Sequence, residues 1–438
     1  MKLSALYAIG LFLVSSASAS CELSSDGNYY CSSTNKITYT GIGYSGSYDK
    51  VTAMDASSGS CSSESYSFSG NLSPLDEDLS IHFRGPIKLK QFAVYYPASS
   101  SNKKRGDDCQ TTLVHKHHLH KRATQVVEVT QTVYVDANGV TQTTQATSTQ
   151  TSAAANVVEE DDDTTSTTST AAASSAAAAG FSTAVASSAA AVSSAAASSA
   201  AVSASSGDWE RSAYYSSGSA DGLVFFNHYG GSGSGVWDSA FGNSISYANS
   251  DASGGSSSPQ VLDYTLVGSN TEFIIMSDTK CSGDDCGFYR DGIPAYKGFS
   301  GSKKVFVFEF QMPQATGAET VDNYDMPAIW ALNAKIPRTL QYGKSSCSCW
   351  PGCGELDLFE ILSQGSSKLI SHLHSDQGSG GGGSQDYFER PYDSTLKAAV
   401  VFDGTDVTIV EVDDDFDEVL SSSTVQGWID ESGSTASI

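Results

Sequence analysis

Residues 207–438 consist of short runs of β-branched and aromatic residues cut by Gly, Ser and Asp. Val261–Val267, Glu272–Met276, Lys397–Phe402 and Asp406–Val410 are such runs. No long stretch has the i, i+3, i+4 apolar spacing of an amphipathic helix. Many short strands separated by turn residues predict an all-β sandwich or barrel, and the length suits one large domain.

Within this region Cys349–Glu360 reads C-W-P-G-C-G-E-L-D-L-F-E. Three acids interrupt an apolar run at spacing i, i+2 and i+5. Side chains alternate along a strand, so Glu355 and Asp357 share a face. Glu360 would point to the opposite face unless one residue is bulged out. A bulge at Leu358 or Phe359 returns it to the acidic face, and bulges are frequent beside active sites. Unpaired carboxylates in a buried strand are costly, so a purpose is expected. Paired carboxyl groups, one ionised and one protonated, are the usual equipment for glycoside hydrolysis.

The pattern resembles the signature of family 16 glycoside hydrolases, in the bulged form typical of laminarinase-like β-1,3-glucanases. Trp350, Pro351 and Gly354, just before the acids, extend the match. Met326–Leu332 looks like the family's W-P-A-x-W strand with Met in place of the first Trp, and Lys304–Pro313 is similar to the strand before it. The resemblance covers only residues 207–438. It implies a β-jelly roll with a concave cleft and a retaining double displacement on β-1,3-glucan, by hydrolysis or by transfer to another sugar. It also implies Glu355 as nucleophile, Glu360 as general acid/base and Asp357 as the residue that orients and tunes them. Trp330 and Trp350 are the candidates for stacking on a sugar ring, although Trp330 also suits core packing. His372 and His374 share a face one strand later. The family often places a polar group there, so either is a candidate for hydrogen bonding to sugar, with a structural histidine as the alternative. The alternative for the whole chain is a non-catalytic glucan-binding structural protein of the cell wall.

The rest of the chain sets the context. Residues 1–19 read as a secretory signal, with a lysine start, a short apolar core and an Ala17-Ser18-Ala19 cleavage site. That core is too short to span a bilayer, so no membrane partner is expected. A net charge of −25 disfavours nucleic acid. Residues 20–105 are rich in Gly, Ser and Tyr and suggest a separate small β-rich module braced by disulfides. Residues 106–122 are basic and His-rich, and the Lys121-Arg122 pair resembles the dibasic sites cut by fungal secretory processing proteases. Residues 123–206 are mostly Ser, Thr and Ala and predict a disordered linker. The order of segments looks like that of the Tos-type cell-wall proteins of budding yeasts, which implies a secreted protein of the wall.

The chain has nine cysteines, and a secreted chain should hold most of them as disulfides. Cys21, Cys31, Cys61 and Cys109 precede the linker and can pair internally in three ways. Cys281 and Cys286 can close a small loop, while Cys347, Cys349 and Cys353 leave one thiol over. No His lies at ligand spacing near them, so no metal site or cofactor is expected, with structural calcium left open. The Gly378–Ser384 run is expected to be a mobile loop at the cleft rim. It lacks the Lys and helix context of a phosphate loop.

Overall fold

The computed structural model describes residues 21–24, 27–98, 204–317, 321–342 and 345–438, together with a short backbone pairing of Tyr134–Val135 with Thr141–Gln142. The expected signal, the dibasic site, Cys109 and nearly all of the Ser/Thr/Ala linker lie outside the described residues.

The described chain is all-β. Most of it forms two large sheets. The first runs, edge to edge, through Ser219–Asp221, Trp209–Ser216, Lys88–Pro97, Lys303–Gln311, Leu396–Asp403, Val407–Glu411, Lys36–Thr40 and Ser434–Ser437. The second runs through Gly255–Ser256, Ser246–Ala248, Leu223–Asn227, Glu272–Ser277, Leu79–Arg84, Ala328–Asn333, Glu355–Glu360, Lys368–His374 and Gly381–Gly383. A continuous apolar core includes Tyr39, Phe83, Phe92, Phe306, Phe308, Ile329, Leu356 and Leu373, drawn from both sheets. The other face of the first sheet is also apolar. Ala93, Val305, Val401 and Val410 there pack with Val425 and Trp428 of the helix Ser422–Asp430. The Ser421 side chain caps that helix by accepting from the Thr424 amide.

The separate N-terminal module is not what the chain builds. Leu79–Arg84 pairs with Glu272–Ser277 on one side and with Ala328–Asn333 on the other. Lys88–Pro97 lies between Trp209–Ser216 and Lys303–Gln311. Lys36–Thr40 pairs with Val407–Glu411 and, in parallel, with Ser434–Ser437. Thin, Tyr-rich sequence suggested a small domain, because local composition does not show which distant strand edge a segment will complete. The same placement corrects the cysteine pairing. Cys61 bonds Cys347, across 286 residues, and so ties the hairpin of Gly46–Asp55 and Ser60–Phe68 to the loop before the acids. Cys21–Cys31, Cys281–Cys286 and Cys349–Cys353 are local.

Two further expectations change. Val261–Val267 is not a strand, and only Val267 forms an isolated bridge, to Ile87. Part of the glycine run is an ordered edge strand, with Gly381–Gly383 paired to His372, Leu373 and His374. Glycine is required there because a Cβ at Gly381 would lie 1.9 Å from the Leu373 carbonyl oxygen.

The linker leaves and rejoins this body at one point. Pro97 faces Trp209 in register, and the Ala98 amide donates to the Asp208 carbonyl at 2.7 Å. Loop-closure cost grows only as the logarithm of length, by ~0.6 kcal/mol per doubling. Replacing residues 99–206 by a short Gly/Ser bridge should therefore leave the thermal unfolding transition intact, shifted by only a few degrees. Residues 207–438 alone should show no cooperative transition. They lack the buried Ile37, Tyr39, Ile81, Phe83, Leu89, Phe92 and Val94. At ~1.5–3 kcal/mol each, this loss matches or exceeds a typical net stability of ~5–15 kcal/mol. Calorimetry of the two variants checks both outcomes.

Candidate active site

The site is centred on Glu355–Glu360, held between Ala328–Asn333 and Lys368–His374. Gly354, just before it, has φ +90°, and a Cβ there would meet the Leu75 side chain at 2.9 Å, so glycine sets the entry to the strand. Glu355 lies opposite Leu332 and His374, and Asp357 opposite Trp330 and His372. Directly opposed residues share a face. The register against Ala328–Asn333 then passes from Trp330–Asp357 to Ile329–Phe359 and skips Leu358. This is the bulge expected from the acid spacing. Leu358 and Phe359 are both in the inter-sheet core, so two consecutive side chains point inward. Glu360 therefore returns to the outer face with the other two acids, opposite Ala328 and Ile370.

Each acid has a different partner. The Trp350 indole N–H donates to Glu355 Oε2. His374 Nε2 lies 3.1 Å from Asp357 Oδ2. Arg84 Nη2 lies 3.2 Å from Glu360 Oε1. The Asp357 backbone is also fixed from beneath. Ser371 Oγ donates to its carbonyl at 2.6 Å and accepts from the buried Tyr39 hydroxyl at 2.9 Å. Tyr39 belongs to the opposite sheet, so this relay crosses the core.

Burial, followed by the charge of Asp357, pushes both the Glu355 and Glu360 carboxyls above the ordinary Glu range. Arg84 and His374 oppose this rise at Glu360, and His374 and the Trp350 hydrogen bond oppose it at Glu355. The hydrogen bond to Asp357 raises the His374 imidazole. Burial, then His374, lowers His372. Like charges in a partly desolvated site cannot all ionise cheaply, so the cluster retains a proton to unusually high pH.

The two tryptophans differ in availability. Trp350 is 45% exposed, next to Glu355, with its ring 5.8 Å from that of His374. Trp330 is 5% exposed, stacked on His82 at 5.1 Å and covered by the Arg84 guanidinium at 6.0 Å. It forms floor rather than an open platform. His374 is bonded to Asp357, whereas His372 touches the site through the His374 ring, 4.7 Å away. A hollow of about 340 Å³ opens beside Glu355, lined by Leu332, Ile336, Gln341, Tyr342 and Trp350. Its volume falls within the ~300–1,000 Å³ usual for small-ligand clefts. The Tyr342 hydroxyl donates to Glu272 Oε2 at 2.7 Å, and His228 Nε2 lies 2.7 Å from Gln341 Oε1.

Arg84, His82, Tyr39, Gln341 and Tyr342 were not singled out in the sequence. For His82 and Arg84 a signal existed. With Ser80 they are the polar members of the strictly alternating run Leu79–Arg84, as residues on the site face would be. Cys281, Asp285 and Cys286 place ligand atoms within 4.8 Å of one another, but the two sulfurs are bonded to each other. No helix among the described residues is long and apolar enough to cross a membrane.

The chain has counterparts among known proteins. Residues 207–428 match the model of the cell wall protein YJL171C/Tos1 C-terminal family, and residues 35–97 match that of its N-terminal part. The chain belongs to the Tos1/YJL171C cell-wall protein family. Within the family it is 54% identical, over 97% of both chains, to a Candida albicans protein named "Probable circularly permuted 1,3-beta-glucanase TOS1". It is 51% identical, over 100% of this chain and 99% of the relative, to a Saccharomyces cerevisiae protein of the same name. A Schizosaccharomyces pombe member, likewise named a probable circularly permuted 1,3-beta-glucanase, is 45% identical over 94% of this chain and 93% of its own. No solved structure matches the chain. The two family segments correspond to the two stretches of chain that interleave here.

Raised carboxyls make a prediction for this Tos1-family fold. A folded-state proton affinity above the unfolded value means that the native state holds more protons, so stability falls as pH rises from about 4.5 through the folded pKa. Glu355→Gln removes that ionisation. Its melting temperature should exceed wild type at pH 8, and the gain should vanish near pH 4. Scanning calorimetry at the two pH values checks this.

Proposed function

We propose that the chain is a retaining β-1,3-glucan hydrolase or transglycosylase of the family 16 type, secreted to the cell wall. The observation that carries the reading is the convergence of Glu355, Asp357 and Glu360 on one face through the bulge at Leu358. The names of the relatives, probable 1,3-beta-glucanases, support the substrate, and the family's description as cell wall proteins supports the wall.

Glu355 attacks the anomeric carbon from one side of the sugar. Glu360 gives its proton to the departing glycosidic oxygen, and a glycosyl-enzyme forms with inversion. Esterification removes the negative charge of Glu355. Glu360, now ionised, takes a proton from water or from a sugar hydroxyl, which displaces Glu355 with a second inversion. The proton held by the carboxyl cluster thus moves between substrate and Glu360, while covalency replaces charge at Glu355. Asp357, held by His374 and by the Ser371 bond to its backbone, maintains the negative field that keeps a proton on the pair. The Trp350 indole fixes the Glu355 oxygen and presents its exposed face for stacking on the sugar. Hydrolysis and transfer use the same residues and differ only in the acceptor.

Glu360→Gln should lower turnover of β-1,3-gluco-oligosaccharides by ~10²–10⁴-fold. Glu355→Gln should abolish it to the limit of detection. Reducing-end release by the full chain, with products resolved by size, measures both, and products longer than the substrate identify transfer. Binding of glucan by wild type with no product of either kind would make the protein a wall-binding component instead.

A further inference from the structure

Arg84 comes from a part of the chain far removed from the acids, yet it contacts one of them. Its strand lies between Glu272–Ser277 and Ala328–Asn333, with Arg84 opposite Glu272 and Ala328. Ala328 is in turn opposite Glu360, so Arg84 stands two strands from the acid on the same face, with Ala328 between them. The guanidinium is fixed at two points. Nε donates to the Met326 carbonyl at 2.8 Å, and Nη2 lies 3.2 Å from Glu360 Oε1. Its carbon lies 6.0 Å over the Trp330 ring, which limits its sideways movement. The Arg84 side chain is 13% exposed and that of Glu360 21%. At that depth the pair is shielded from the screening that makes surface ion pairs nearly worthless. Among the described residues, Glu360 Oε2 has no hydrogen-bond partner.

We propose that Arg84 is a positioning residue for Glu360: it holds Oε1, leaves Oε2 to exchange the proton with the glycosidic oxygen, and stabilises the carboxylate once that proton has gone. The inference rests on the reading of Glu360 as the acid/base. In the first step the proton leaves Glu360 for the departing oxygen, and a negative charge appears 3.2 Å from a fixed cation. In the second step Glu360 recovers a proton from water or a sugar hydroxyl, and the charge disappears. A cation that favours the ionised form lowers the barrier to proton donation but weakens the base. It therefore tunes the group between its two duties. The groups facing Glu360 are Asp357 from its own strand, His374 from Lys368–His374 and Arg84 from Leu79–Arg84, with Glu355 interacting more weakly and Glu272 beside Arg84. Removing the cation leaves the acids less opposed, so the proton affinity of Glu360 must rise.

The test uses the full chain, as wild type, Arg84→Gln and Arg84→Lys. With β-1,3-gluco-oligosaccharides, Arg84→Gln should lower kcat by ~10–100-fold with KM little changed. The alkaline limb of its pH profile should move up by about one unit or more. Arg84→Lys, which keeps a charge, should recover part of both. Independently of activity, the carbon-13 signal of the Glu360 carboxyl, assigned with Glu360→Gln, should titrate at higher pH in Arg84→Gln than in wild type. An unmoved titration and an unmoved limb would overturn the inference, even if activity fell through loss of folding. A wild type that turns over no glucan, but whose Glu360 titration shifts in Arg84→Gln, would overturn the acid/base reading and leave only the ion pair.

Discussion

Leu79–Arg84 hydrogen-bonds on both sides, to Glu272–Ser277 and to Ala328–Asn333, and the site sheet is continuous only because of it. Without this strand the sheet would split into two pieces, each presenting an unpaired backbone edge. Its inward residues, Ile81 and Phe83, fill the core between the sheets, with Phe83 stacked on Phe273 at 4.5 Å. Its outward residues, Ser80, His82 and Arg84, build the floor beside the acids. Ser80 Oγ donates to the Leu332 carbonyl, so His82 Nε2 is the donor to Ser80, and the ring stacks beneath Trp330. Burial holds His82 neutral. One strand thus closes the sheet, packs the core and supplies the cation nearest Glu360.

The charges on the site face are balanced by position. Three carboxylates within one strand would repel one another strongly in a half-buried cleft. Arg84 stands on one side of the row and His374 on the other, each bonded to a different acid. The indole of Trp350 satisfies the third without adding charge. The loop that carries Trp350 is braced by Cys349–Cys353 and anchored by Cys61–Cys347. Both disulfides constrain the segment that enters the acidic strand, where a small displacement would separate the indole from its carboxylate.

The bulge was legible in the acid spacing alone. Period-two alternation leaves Glu360 on the wrong face, and one skipped residue is the smallest correction. Leu358 and Phe359, adjacent and both apolar, are the residues that can face the core together. The Cys281–Cys286 loop was legible for the similar reason that short separations leave few alternatives. The N-terminal strands were not. Residues 20–105 read as β-rich, but the partners of Lys36–Thr40 and Lys88–Pro97 lie more than a hundred residues away, and pairing depends on which edges are free after folding. Gly381–Gly383 was missed because it carries no side-chain signal. Its strand character comes from a backbone approach that only glycine permits.

Sequence alone determined what is local: an all-β chain, three acids poised on one extended segment, and residue types suited to proton transfer. These follow from periodicity and from the chemistry of neighbouring side chains. Tertiary structure decided what is composite. It joined residues 36–97 to residues 207–438 in the same sheets, sent Cys61 to Cys347, and brought Arg84 and Tyr39 to the support of Glu360 and Asp357. The physical reason is that backbone ladders and buried apolar faces are satisfied by whichever complementary edge the folded chain brings alongside, and no local pattern records that edge.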